Sequence, residues 1–250
     1  MDIKTKQKTG RFDEPIPLLV HLEELKKRLI YSLLAVAACG FAVYPAVDIV
    51  IRDLARPVGT FIFTGPVEAF WTRFKLAFFL GLFVSMPFVL FQFWSFIERG
   101  LMPGEKHMAG RITVISVLLF ATGASFCYFL ILPVGVGFLL AYGSDVLVPM
   151  ISISRYLSFV FAMVFAFGCI FELPLAIGFL AKAGILRSET LRRQRRFIIV
   201  FIFIAAAALT PGPDVFSQIL MALPLLVLFE TGIMVARFIE RRKVHEIRNG

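Results

Sequence analysis

The side chains able to do chemistry in this 250-residue chain are carboxylates in two unlike settings. Glu172 stands in "FAFGCIFELPLAIGFLA", residues 165–181, an otherwise apolar stretch, two residues before Pro174. A carboxylate at mid-span costs at least about 2.5–3.5 kcal/mol on the insertion scale, so it normally faces protein or a wet cavity and marks a function. Two readings stay open: a working group inside the membrane, or an acid protonated or hydrogen-bonded to a neighbouring helix for packing alone. Pro174 adds a second disturbance, because it leaves the carbonyl of Ile170 without its helical donor. Glu230 poses the same question in a later apolar run. Four acids on the expected cytoplasmic face, Glu23, Glu24, Glu98 and Glu105, stand among many cations. On spacing alone, Glu24 and Arg28 make an i,i+4 surface pair that contributes little.

The elements that must position these acids are transmembrane helices. The chain is 59% hydrophobic, holds 29 Phe and has a mean hydropathy of +0.85, too apolar for an ordinary soluble domain. Six apolar runs, near 29–47, 70–97, 111–141, 156–181, 197–210 and 215–238, approach the ~20 residues a helix needs to span a bilayer. The short alternating segments of a β-barrel are not evident. The expected fold is therefore an all-α integral membrane protein of six transmembrane helices. It divides into a cytoplasmic N-terminal segment with an amphipathic helix (1–28), one transmembrane domain (29–238) and a basic cytoplasmic tail (239–250). Leu18, Leu22, Leu25 and Leu29 give that first helix its apolar stripe. No small-residue cleavage site follows the first span, so the start does not read as a cleaved signal peptide.

Of 26 basic residues, 21 fall on the N-terminal segment, the 98–111 and 182–196 loops and the C-terminal end from Arg237 onward. Because Lys and Arg near span ends are retained in the cytoplasm, both termini are expected there. Arg52, Arg56, Arg73, Lys75 and Arg155 are left for the other side. The same dispersal argues against nucleic acid as the reason for the +9 charge. The fifth run is too short for an undistorted bilayer, and the turn "TPGPDVFSQ" forces it and the sixth into an antiparallel hairpin, with Pro224 expected to interrupt the sixth. Phe91, Phe93, Trp94 and Phe96 read as an interfacial belt, and Cys39, Cys127 and Cys169 as small core residues.

No HExxH, GxSxG or P-loop is present, and His21, His107 and His245 lie on cytoplasmic segments. Hence no enzyme is expected, with no catalytic residue, metal or cofactor. An ion-coupled secondary transporter using Glu172 and Glu230 remains a rival reading. The lack of an internal repeat weighs against it.

Five ordered motifs carry a resemblance: "HLEELKKRL" (21–29), FxxFIxxGLxxxE (93–105), "YLSF" (156–159), "FELP" (171–174) and "TPGPDVFSQ" (210–218). In order and spacing they resemble the TatC family of the twin-arginine protein translocase, from Pro17 to about Arg242. The resemblance implies a concave, glove-like fold of six helices with short fifth and sixth members, in the bacterial inner membrane. It implies binding of the twin-arginine signal peptides of folded precursors at the cytoplasmic face. It further implies assembly with TatA- and TatB-type single-span subunits, self-association, and drive from the proton-motive force. Glu24 and Glu105 match the acids that bind the arginine pair, with Phe96 and Leu101 beside them. Glu172 matches the intramembrane acid, expected on the concave side, and Thr210 and Gln218 match the region that docks partner helices. Two departures stand out. Lys26 replaces a common Arg, and Glu98–Arg99 replaces a small residue and Pro, where an added acid would strengthen or redirect arginine binding.

Overall fold

The computed structural model describes residues 18–59, 61–62, 65–101, 108–141, 150–209 and 215–249. Glu105 and Thr210 lie outside the described residues. All regular elements among them are helices, with one isolated parallel bridge between Ile62 and Ser152.

The amphipathic segment and the first span form one helix, α1 (Leu18–Val43), followed by a short 3₁₀ turn and α2 (Val47–Ala55). Next comes α3 (Pro66–Leu101), which runs through Pro87. The third run is α4 (Met108–Phe126) and α5 (Leu132–Leu140), joined by a wider π-type turn at Cys127–Ile131. Pro133 sits just past that turn and has no N–H to give the ordinary helical ladder. The fourth run is broken in two, α6 (Ile153–Phe171) and α7 (Leu173–Lys182), and Glu172 is the joint. Then follow α8 (Ser188–Arg193), α9 (Arg195–Leu209) and α10 (Val215–Asn249).

Five of these runs are long and apolar enough to cross a membrane: His21–Ala55, Val67–Gly100, Ala109–Phe138, Ile153–Lys182 and Val215–Arg242. The sixth apolar helix, α9, has 15 residues and is about 22 Å long against a core of about 30 Å. Large apolar side chains face outward on all of them, among them Phe41, Phe129, Leu118, Phe201 and Leu223, as suits a lipid solvent. The chain is a multi-pass membrane protein.

Packing follows small residues. A Cβ on Gly81 of α3 would lie 2.4 Å from the backbone nitrogen of Gly40 on α1, so the two backbones touch there. Gly168 of α6 is similarly covered by the Phe120 ring of α4. Between the helices, Phe167, Leu76, Val160, Met221 and Ile233 are almost fully buried in one core. Trp94, Phe120 and Phe179 anchor a second, with Met86 and Leu90.

At one end, the loop after α2 is fastened to the start of α6. Ile62 N–H donates to the Ile151 carbonyl at 3.1 Å, and Ser152 Oγ donates to Glu68 at 2.6 Å. Tyr128, on the π-type turn, donates its hydroxyl to Asp53 of α2. At the other end meet the start of α1, the end of α3 and the start of α4, and nearby the Phe179 ring of α7 lies edge-on to Trp94.

Three expectations need correction. Pro224 does not interrupt α10, because buried Met221, Ala222 and Leu225 hold the turns on both sides of it in the core. Trp94 is buried and not interfacial, because its indole N–H finds an acceptor inside. Cys169 is exposed, since it points off α6 away from the buried face carrying Val164 and Phe167.

Candidate functional site

Glu24 lies two turns into α1, and its side chain is only 18% exposed. Its Oε1 accepts from Arg28 Nε at 2.9 Å, and Arg28 Nη2 lies 2.8 Å away. Arg99 Nη1, from the last turn of α3, lies 2.9 Å from the same oxygen. One carboxylate oxygen thus meets two guanidinium groups, in the short, charge-assisted geometry that makes such contacts strong. Arg28 is 13% exposed and also donates to Gln92 Oε1 at 2.7 Å, which ties α1 to α3.

Around this carboxylate the helices are close. The His21 ring stacks on Phe96, with centroids 4.2 Å apart and planes within 13°. A Cβ on Gly100 would come within 3.1 Å of the same imidazole. Phe96 thus packs against the first turns of α1 through His21, with one ring face already covered. Leu101 closes α3. Glu98, left open by the sequence, accepts from the Ala109 N–H at 3.1 Å. It satisfies an orphan donor in the first turn of α4, where negative charge is favoured.

Glu172 is placed by the break that Pro174 imposes. With no N–H at Pro174 the ladder cannot continue, and the Glu172 N–H turns to the Cys169 carbonyl at 3.1 Å. The side chain is half-buried and points at α4. Ser116 Oγ donates to Glu172 Oε2 at 2.7 Å, and Trp94 Nε1 donates to Ser116 Oγ at 2.9 Å. A polar chain therefore joins α3, α4 and the α6–α7 joint inside the apolar core. Glu172 Oε1 is buried and makes no hydrogen bond with the described residues.

Two further candidates, Glu230 and Gln218, are engaged within the chain. Glu230 of α10 pairs with Arg195 at the start of α9. Gln218 Nε2 donates to the Phe203 carbonyl at 3.0 Å, across the α9–α10 hairpin. Among the described residues no three His, Cys, Asp or Glu side chains gather as a metal site. Sequence reasoning picked out Glu24 and Glu172 but missed their partners Arg99 and Ser116, and missed Gln92 behind Arg28 and Trp94 behind Ser116. Only Arg28 was signalled by spacing; the others come from different helices.

Residues 20–224 match the family described as Sec-independent protein translocase protein (TatC). The TatC of Carboxydothermus hydrogenoformans is 40% identical over 235 residues, covering 92% of this chain and 97% of that one. The TatC of Escherichia coli strain K12 is 40% identical over 230 residues, 89% and 88% of the two chains. The fold is similar to the crystal structure of the "Twin Arginine Translocase Receptor- TatC", with a TM-score of 0.78 at 36% identity over 88% of this chain and 99% of that one. Sequence and backbone agree over the same helices, and on that agreement the chain belongs to the TatC family of Sec-independent protein translocase proteins.

Proposed function

We propose that this chain is the receptor of a Tat translocase, binding the twin-arginine signal peptides of folded precursors at the cytoplasmic face. The family is one of translocase components and not of enzymes. The observation that carries the reading is the state of Glu24, whose carboxylate meets two guanidinium groups from two different helices. A planar guanidinium offers parallel N–H donors that an ammonium cannot reproduce, so a site shaped for it discriminates arginine from lysine. Glu105, a few residues after the end of α3, is proposed as the second reader, with Phe96 and Leu101 as apolar contacts for the residues that follow the arginines.

The concentration of Lys and Arg on alternate connections supports cytoplasmic termini in a bacterial inner membrane. On the other side, Arg73 pairs with Asp48 at 3.0 Å and Arg56 with Asp53 at 3.2 Å, which offsets part of the positive charge there. The apolar outer face of α9 and α10, with Phe201, Ile204, Ile219 and Leu223 exposed, supports docking of TatA- and TatB-type single-span helices near Thr210 and Gln218. Energy then comes from the proton-motive force. The transporter reading loses support because the chain belongs to a translocase family, Glu230 is paired with Arg195, and the polar chain from Glu172 through Ser116 ends at the Trp94 indole, which only donates.

The test is binding of a twin-arginine signal peptide and its lysine-pair version to the detergent-solubilised protein and to its Glu24→Ala, Glu105→Ala double variant. A preference for arginine that the double variant loses is the expected result. Equal binding in all combinations would overturn the receptor reading.

A further inference from the structure

The two guanidinium groups on Glu24 are held very differently. Arg28 sits one turn away on the same helix, is 13% exposed, and is fixed by Gln92 as well as by Glu24. Arg99 reaches over from the end of α3, is 63% exposed, and meets Glu24 through a single Nη1. A carboxylate oxygen has two lone pairs, and Glu24 Oε1 already faces Arg28 Nε and Nη2 and Arg99 Nη1 at 2.8–2.9 Å. The bidentate fork of a further guanidinium needs both carboxylate oxygens, so it cannot close on Glu24 until one of these leaves Oε1. Removing Arg28 would strip Gln92 of its donor in a half-buried seam, whereas releasing Arg99 returns an exposed charge to water at little cost.

We infer that Arg99 is a built-in competitor, occupying in the ligand-free chain the place on Glu24 that one arginine of an incoming peptide takes. The inference rests on the receptor reading above. Arg99 stands where the resemblance leads one to expect proline, so the device is a feature of this chain. Its location in the last helical turn is favourable for a cation, which keeps the seat filled when no peptide is present. Being tethered, it competes at fixed effective concentration and lowers the affinity of every cationic ligand by the same factor. Ligands that bind weakly, such as lysine-pair segments and stray basic peptides, are thereby pushed below the working range. A true arginine pair exchanges one guanidinium contact for an equivalent one and stays above it.

The test is a double-mutant cycle read as Kd for a twin-arginine peptide and for its lysine-pair version. Four detergent-solubilised proteins are compared: the parent, Arg99→Ala, Glu24→Gln and the double variant. An exposed ion pair of this kind corresponds to roughly a two- to five-fold change in affinity. The expected result is that Arg99→Ala tightens both peptides by about that factor in the parent background and leaves them unchanged in the Glu24→Gln background. Arg99→Gln, which keeps length and removes charge, should behave as Arg99→Ala does. Two results overturn the inference while leaving the receptor reading intact: no tightening with either Arg99 variant, or the same tightening whether or not Glu24 is present. If Glu24→Gln keeps the full preference for arginine, Glu24 is not a reader and the inference falls, whereas loss of the receptor reading itself requires equal binding of both peptides to the parent protein.

Discussion

Ser116 of α4 and Glu172 at the α6–α7 joint are linked by a 2.7 Å hydrogen bond in which the serine hydroxyl is donor and the carboxylate acceptor. The same hydroxyl accepts from the buried indole of Trp94. An acid in an apolar run is thus part of a three-helix polar chain, and its placement depends on α4 as much as on its own segment. In hydrocarbon an unsatisfied polar group costs far more than in water, which makes the serine a structural partner of the acid.

Ser116→Ala removes the donor to Glu172 and the acceptor of Trp94 together. Leaving buried polar groups unpaired typically costs about 1–3 kcal/mol. Thermal or denaturant unfolding in detergent should show a loss of that order, whereas Ser116→Thr, which keeps the hydroxyl, should lose less. An unchanged unfolding midpoint for Ser116→Ala would mean that the chain of bonds does not hold the three helices.

The α1–α3 crossing makes a second prediction. At Gly81 an added Cβ would lie 2.4–2.7 Å from backbone atoms of Gly40 and Val36, and backbone cannot rotate away. Gly81→Ala should therefore separate the helices and destabilise by about 1–3 kcal/mol, the range of overpacked cores. Gly135→Ala is the control, because nothing lies within 4 Å of its Cβ position. There the gain in helix propensity makes the change neutral or stabilising by up to about 1 kcal/mol. Similar unfolding midpoints for the two variants would contradict the close contact.

A third concerns the lipid. At 15 residues α9 is several ångströms short of the hydrocarbon thickness. Its start is anchored by Arg195 and Arg196, the former on Glu230, so sliding deeper would drag charge into the acyl region. Cryo-electron microscopy of the protein in a lipid nanodisc should show the two phosphate layers drawn together beside the α9–α10 hairpin. Uniform bilayer thickness around the molecule would sink the prediction.

Much of this architecture was legible in consecutive residues. Hydropathy over windows of about twenty residues located the apolar runs, and the shortness of the fifth run was plain from its length. Pro174 marked a lost helical hydrogen bond near Glu172, although the run read as one span and the split into α6 and α7 came from the fold, and four-residue spacing paired Glu24 with Arg28. Each of these is a property of neighbours along the chain, and so is determined without knowing the fold. Tertiary structure alone decided that Arg99 joins Glu24, that Glu98 serves α4, that Trp94 turns inward to Ser116, and that α10 continues through Pro224. The reason is physical. In a membrane both the core face and the lipid face of a helix are apolar, so composition does not say which face meets another helix. That choice is made by close contacts such as Gly40 against Gly81 and by the few polar groups that must find one another, and both depend on residues far apart in sequence.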